Sequence, residues 1–268
     1  MTYDPKSLSE HYDAYGEREW DRLGERPQGR IKYAIHKSFL DRCVETGMKV
    51  LDVGCGPGRF AIDIIRMGAT VTLADISQVQ LDLAAEHIGA AELTDRIDGS
   101  HLTDVANLEA FEDGAFDLVV CFGGAVSYTL ERHRNALSEL ARVVRPGGDV
   151  LISVMSLYGT LRLLGPLDAN AFLANADQHL DWAAVLGGEA TVHTVHGSRE
   201  FHQPMVLFSS EGLRSAMIET GFTPIEMGSA NPIVSNGASI PAIVDDAAAL
   251  EAMTELELAS CRYPGLLD

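Results

Sequence analysis

Positive charge is what this sequence is shortest of. Its 20 Lys and Arg, only four of them Lys, face 39 Asp and Glu, a formal charge of −19 over 268 residues. Nucleic acids and anionic membrane surfaces are held through clustered basic side chains, and no basic run exists here, so neither is an expected partner. The chain also lacks any C-x-x-C pair. Cys43, Cys55, Cys121 and Cys261 stand far apart, which predicts free thiols in a reducing compartment and no zinc knuckle. No apolar run approaches the roughly 18 residues needed to span a bilayer, and Met1-Thr2-Tyr3-Asp4-Pro5-Lys6 has no apolar core of a secretion signal, so a cytoplasmic location is expected. With 46% hydrophobic and 22% charged residues, the chain is too apolar for an acidic disordered segment and can bury a sizeable core.

What is present is an alternation of short apolar runs with helical patterns. Met48 to Val53 is a strand-length run that ends in Gly54-Cys55-Gly56-Pro57-Gly58. Phe60, Ile64, Ile65 and Met67 then recur at helical spacing. Thr70 to Ala74 is a second, β-branched strand closed by Asp75, and Ser77-Gln78-Val79-Gln80 reads as a capping box opening a helix. A weak third strand is expected over 96–100. Phe116 to Phe122 is a buried-strand run, followed by a helix with Leu137, Leu140, Ala141 and Val144 on one face. Pro146-Gly147-Gly148 is expected to stop that helix and turn the chain into a strand over 150–154. This order predicts an α/β fold, a doubly wound, mostly parallel sheet with helices on both faces. Outside the repeat lie aromatic-rich helices in the first 45 residues and an α+β segment, with a helix over 168–186 and strands over 190–195 and 203–208. The α/β pattern restarts with a helix from Ser210 and a strand through Met227.

A strand feeding a glycine turn and a helix start is a generic cradle for a nucleotide or cofactor. Two features narrow it. The loop is G-x-G-x-G, one residue shorter than the dinucleotide fingerprint, which disfavours a pyrophosphate and hence a nicotinamide dinucleotide. Asp52 stands two residues before the first glycine, where it would repel a diphosphate but accept from a cationic amine, or else cap loop N–H groups as a structural acid. Asp75 ends the next strand, where a carboxylate can hold both hydroxyls of a ribose.

Val50-Leu51-Asp52-Val53-Gly54-Cys55-Gly56-Pro57-Gly58, with Asp75, Asp104, Phe116-Asp117-Leu118-Val119-Val120 and Arg142-Val143-Val144-Arg145-Pro146-Gly147-Gly148 in order behind it, resembles the class I S-adenosylmethionine-dependent methyltransferases. The resemblance covers residues 45–155 and runs more loosely to about 230. It implies a Rossmann-like core, S-adenosyl-L-methionine as cofactor and S-adenosyl-L-homocysteine as product. It also implies that Gly54, Cys55, Gly56 and Gly58 form the cofactor loop, that Asp52 orders this loop or meets the amino group, and that Asp75 holds the ribose. Ile76 would flank the adenine, Asp104 with Val105 would meet the adenine amine, and Phe122 and Gly123 would run beneath the sulfonium. Asp104 also reads as a plain turn acid, and Cys55 as a small residue that fits the loop.

Tyr15-Gly16-Glu17-Arg18-Glu19-Trp20 and Leu256 to Cys261 extend the likeness to small-molecule methyltransferases with an N-terminal helical lid. The expected divisions are a lid over 1–45, the cofactor-binding core over 46–155, a substrate-side insertion over 156–205, and completion of the core with a C-terminal helix over 206–268. The family ends its sheet with a further antiparallel strand that this sequence does not reach: either the sequence is truncated or the sheet ends one strand short, exposing an edge through which two copies can associate. Methyl transfer is in-line displacement, so the protein mainly aligns the reactants; a base is needed only when the acceptor must lose a proton. The function expected is transfer of a methyl group to an O or N nucleophile of a small aromatic or heterocyclic molecule, with a non-catalytic cofactor-binding protein as the alternative. Candidate acid–base residues are His202, Tyr15 and Tyr128, with Tyr12, Trp20, Met155 and Tyr158 as further wall residues. Those aromatics also read as plain packing. His193 and His196, three apart on a strand, point to opposite faces, so no metal site is expected. His101 and His133 are expected at the surface beside the cofactor.

Overall fold

The computed structural model describes residues 2–167, 184, 187–192, 203–233 and 246–267. They form two units. The first comprises Met1–Asp21 and Phe39–Val154, the second Arg22–Ser38 and Met155–Asp268.

The first unit is built on five strands: β1 (Lys49–Val53), β2 (Thr70–Asp75), β3 (Ile97–Leu102), β4 (Phe116–Cys121) and β5 (Val144–Ile152). They lie in the order β3-β2-β1-β4-β5, and every pairing is parallel. The central strands are covered on both faces, which is why β1, β2 and β4 are continuous apolar runs with no alternation. Helix α4 (Arg59–Arg66) supplies one cover. Ala61, Ile64 and Ile65, at helical spacing, are buried against the sheet, and each fully buried aliphatic side chain contributes roughly 1.5–3 kcal/mol. Helix α5 (Gln78–Ala90) buries Leu81, Ala84 and Ile88 beside it. The chain moves outward from β1 to β3 and then crosses to β4, so the switch in direction falls between β1 and β4. Open sheets of this kind bind ligands at the carboxyl ends of the strands at such a switch.

Helices α1 (Pro5–Tyr15) and α2 (Arg18–Asp21) precede the sheet; α1 starts where the Asp4 carboxylate accepts from Lys6 N and Pro5 occupies the first turn. Helix α3 (Pro27–Cys43) has its first twelve residues in the second unit. After β4 come α6 (Ala125–Tyr128) and α7 (His133–Val143). The Asp117 carboxylate accepts from Lys49 N at 2.9 Å and Arg145 Nε at 2.7 Å, tying β1 and β5 to β4 at the end away from the glycine loop.

The second unit contains α8 (Leu157–Leu167) and an antiparallel pair, β6 (Glu189–Val192) with β7 (Met205–Phe208). Helix α9 (Ser210–Glu219) is capped by Ser209 Oγ, which accepts from Gly212 N at 3.0 Å, and α10 (Ala247–Ser260) is capped by Asp246.

Several expectations are corrected. The strand through Met227 does not form: 222–229 is irregular, Pro224 lacks the donor a ladder needs, and Ile225 is 86% exposed. Pro146-Gly147-Gly148 does not delay β5 to residue 150. The strand begins at Val144, and β4 passes from Phe116 opposite Val144 to Leu118 opposite Asp149, so the Pro-Gly-Gly turn is a bulge within the pairing. His133 is buried, not superficial, with Nδ1 2.7 Å from Leu130 O. The expected helix over 168–186, apart from residue 184, lies outside the described residues, as do His193, His196 and His202.

Candidate active site

The glycine loop leaves β1 with three left-handed glycines, at φ 67°, 52° and 81° for Gly54, Gly56 and Gly58. Two have distinct reasons to lack a side chain. A Cβ on Gly54 would come within 2.9 Å of Ala125 Cβ, so this glycine lets α6 approach β1. A Cβ on Gly58 would lie 3.0 Å from Ala84 Cβ, so it lets α5 pack against the start of α4.

A cavity opens at the carboxyl ends of β1, β2 and β4. Gly54, Gly56, Asp75, Ile76, Asp104, Val105, Phe122, Gly123 and Tyr128 line it, as do Tyr3, Leu8, Tyr12, Glu19, Gln80, Thr103 and Ala125. Asp52, Cys55 and Gly58 do not line it. Asp52 is 2% exposed within β1, the Cys55 thiol is buried and pushed up by burial and then by Asp75, and Gly58 serves packing. Tyr15 does not line it either. Its ring lies under the Arg18 guanidinium at 4.6 Å and stacks on His11 at 5.9 Å. Met155 and Tyr158 fall in the second unit.

The site is acidic, and its acids are strained electrostatically. Asp75 accepts from Gly56 N through Oδ2 and Ser77 N through Oδ1, each at 2.9 Å. Burial outweighs those donors, and with Glu19 repelling it as well the carboxyl is raised to about 6. Asp52 Oδ2 has no hydrogen-bond partner among the described residues; burial first, then the charge of Asp75, raises this carboxyl to about 7. Gln80 Oε1 is a second buried acceptor without a partner. Among the described residues that line the cavity there is no Lys, Arg or His.

Asp104 is a turn acid that also lines the cavity. Its Oδ1 accepts from Ala106 N and its carbonyl from Asn107 N, each at 2.8 Å, making a tight turn, while the side chain faces the cavity. The loop behind it is braced by α7. Arg142 donates to Leu108 O and Phe111 O, and Glu139 accepts from Leu108 N at 2.7 Å.

The N-terminal wall is clamped to α5 and the glycine loop. Ser77 Oγ donates to Asp13 Oδ1 at 2.5 Å, and Gln80 Nε2 donates to Tyr12 O and Gly16 O at 3.1 Å each. Ser77 caps α5 as the capping box predicts, with Oγ accepting from Gln80 N. Gln80 does not complete the box: Ser77 N goes to Asp75, and the glutamine amide reaches the N-terminal segment instead. Trp20 is held between the Arg59 guanidinium, 3.9 Å from its centroid, and the His87 ring at 3.8 Å. His87 also meets Glu17 at 3.0 Å. Tyr12 and Tyr128 pack edge to face at 6.0 Å. Sequence reasoning missed Tyr3, Leu8, Glu19, Gln80, Thr103 and Ala125. Glu19 lies inside a motif already singled out, and Gln80 was assigned wholly to the cap.

Residues 50–148 match the methyltransferase domain family. The chain is 35% identical over 159 residues to the methyltransferase GfsG of Streptomyces halstedii, covering 59% of this chain and 50% of that protein. It is 32% identical over 148 residues to a ubiquinone biosynthesis O-methyltransferase of Alkalilimnicola ehrlichii, covering 54% and 58%. The matched residues form a methyltransferase domain of the class I S-adenosylmethionine-dependent type. The chain spans between half and three fifths of the length of these relatives. The fold of the chain is shared with a Burkholderia thailandensis 1,6-didemethyltoxoflavin-N1-methyltransferase bound to 1,6-didemethyltoxoflavin and S-adenosylhomocysteine, at 16% identity and a TM-score of 0.55 over 84% of this chain and 83% of that one. Among the described residues no helix is long and apolar enough to cross a membrane, and no group of three His, Cys, Asp or Glu could hold a metal ion.

Proposed function

We propose that this chain transfers a methyl group from S-adenosylmethionine to an oxygen or nitrogen of a small, neutral or cationic, aromatic or heterocyclic molecule. The observation that carries the reading is a cavity at the sheet's switch point with three carboxylates and no basic side chain among its described lining. Two buried acceptors without partners, Asp52 Oδ2 and Gln80 Oε1, flank its glycine cradle. That donor-poor, acceptor-rich set fits a ligand bearing an ammonium, a sulfonium and a ribose diol. Bound there, the cofactor would supply a methyl group on a cationic sulfur with a neutral thioether as leaving group.

The chain's own residues divide the work. Gly54 and Gly56 let backbone approach the ligand, Gln80 offers an acceptor to the amine, and Asp52, buried behind the loop, acts on the cationic ligand through its charge. The Asp75 carboxylate, already fixed by two N–H donors, keeps lone pairs for the ribose hydroxyls. Ile76 flanks the base, and Asp104 with Val105 meets its edge. Phe122, Gly123, Tyr12 and Tyr128 wall the acceptor side, excluding water and limiting the approach to in-line geometry. Of the acid–base candidates among the described residues we favour Tyr128, which lines the cavity, over Tyr15, which does not; His202 lies outside the described residues. The likeness to a ubiquinone biosynthesis O-methyltransferase favours an oxygen acceptor.

The test is calorimetry with S-adenosylmethionine, S-adenosylhomocysteine and NAD, followed by a panel of phenols, catechols and heterocyclic amines with S-adenosylhomocysteine release as the readout. Binding of both sulfur cofactors, no binding of NAD, and release with at least one acceptor class are expected. Binding of NAD in their place overturns the reading. Cofactor binding with no release from any acceptor turns it to a non-catalytic binding protein.

A further inference from the structure

Tyr3 is a cavity residue that no motif announces. Its backbone N–H is clamped by the Glu131 carboxylate, at 3.0 and 3.1 Å to the two oxygens, and Asp4 immediately after it caps α1. The clamp points to a fixed role, since an N-terminal segment otherwise frays. The Tyr3 hydroxyl is buried and makes no hydrogen bond of full geometry, yet it lies close to Asp104. Burial first, then that carboxylate, pushes the phenol up, so it stays protonated and remains a donor. Asp104 has Oδ1 accepting from Ala106 N, and the residue lines the same cavity.

A buried hydroxyl and a neighbouring carboxylate that line one cavity define a small recognition unit. The hydroxyl has one donor and two acceptor lone pairs, the carboxylate only acceptors. Together they complement a group with two hydrogens on one atom. We propose that Tyr3 and Asp104 jointly read an unsubstituted exocyclic amine on the base of the bound nucleoside. The Tyr3 hydroxyl donates to Asp104 and accepts one amine hydrogen, and Asp104 accepts the other. The proposal rests on the cofactor reading above and adds a positioning and specificity role for Tyr3. A carbonyl at that place would face the carboxylate, and an N-alkyl group would lose one bond and crowd the phenol.

The experiment measures binding of S-adenosylhomocysteine, its N6-methyl analogue and S-inosylhomocysteine to the wild-type chain and to Tyr3→Phe. A hydrogen bond within a charged network is worth about tenfold in affinity. The wild-type chain should therefore prefer S-adenosylhomocysteine over the N6-methyl analogue by about that factor and over the inosyl compound by more. In Tyr3→Phe the first preference should shrink towards unity, because only the unsubstituted amine loses a bond. Equal weakening for all three ligands would mark Tyr3 as packing and overturn the inference, as would unchanged preferences. Failure of the wild-type chain to bind S-adenosylhomocysteine would instead be failure of the cofactor reading.

Discussion

The cavity has two walls of different origin. The sheet wall, Gly54, Gly56, Asp75, Asp104 and Phe122, sits on strand ends and the turns that follow them, where the Asp75 carboxylate accepts from Gly56 N and Ser77 N and the Asp104 carboxylate from Ala106 N. The N-terminal wall, Tyr3, Leu8, Tyr12 and Glu19, sits on short helices with little buried apolar surface of their own; α1 buries only Leu8 and α2 nothing. It is held by side chains reaching across 60 or more residues, Ser77 to Asp13 and Gln80 to Tyr12 and Gly16. The first wall is preorganised by the fold. The second is attached to it through a handful of polar contacts, so its hold on the cofactor should depend on single residues and less on global stability.

The largest expected effect belongs to the sheet wall. Asp75→Ala removes the acceptor that fixes Gly56 N and Ser77 N and that we assign to the ribose. Two charge-assisted bonds are worth roughly 3 kcal/mol or more, so S-adenosylhomocysteine affinity should fall at least about 100-fold. Circular dichroism should stay unchanged, because Asp75 ends β2 and its carboxylate holds two loop N–H groups and no strand pairing. A wild-type dissociation constant in this variant would remove Asp75 from the site and, with it, the distinction between the walls.

The same difference explains what was legible in the sequence. Strands β1, β2 and β4 announce themselves because burial on both faces demands unbroken apolar runs, and the glycine loop because backbone approach and positive φ demand glycine at fixed places. The N-terminal wall obeys neither rule. Its helices are readable as helices, but which side chains face the cavity depends on pairings such as Gln80 with Tyr12 O, and nothing in local spacing encodes those. Glu19 and Tyr3 were within sight as an acid and an aromatic, without a pattern to say where they point. The bulge at Pro146-Gly147-Gly148 fails for a related reason: a helix-stop signature is local, while its inclusion in β5 is decided by pairing with β4.

A second prediction separates the buried acids from the clamp by pH. Asp75 and Asp52 are raised to about 6 and about 7 from an unperturbed 3.8, so in the free protein the protonated forms are favoured. Their contribution to fold stability is therefore fully present below about pH 4 and is lost as pH rises through 6 and 7. A cationic ligand favours the charged forms, so its binding releases protons, and its affinity should rise with pH between about 5.5 and 7.5 by up to roughly tenfold per unit for each proton released. Titrations of S-adenosylmethionine at several pH values, in buffers of different ionisation enthalpy, measure both quantities. Asp52→Asn should flatten the upper part of this rise and leave the part centred near 6. An affinity that falls with pH, or a slope that Asp52→Asn leaves untouched, would remove the acid pair from cofactor recognition.

The smallest effects should come from the clamp, and they should be graded by burial. Gln80→Leu deletes two donors to the N-terminal segment and an unpartnered acceptor in the cavity wall while keeping the bulk buried under α1, so cofactor affinity should drop by about tenfold, mostly through faster dissociation. Glu17→Gln weakens only the contact to His87, in which the glutamate side chain is half exposed. Such pairs contribute about 0–1 kcal/mol and are screened by salt, so the change should stay within roughly fivefold and vanish at high ionic strength. Stopped-flow dissociation of S-adenosylhomocysteine at low and high salt compares the two variants directly. Equal losses in both would mean that the wall closes as one unit whatever contact is cut. A loss confined to Gln80→Leu and insensitive to salt would fix the buried glutamine amide, not the surface ion pair, as what keeps the N-terminal wall on the site.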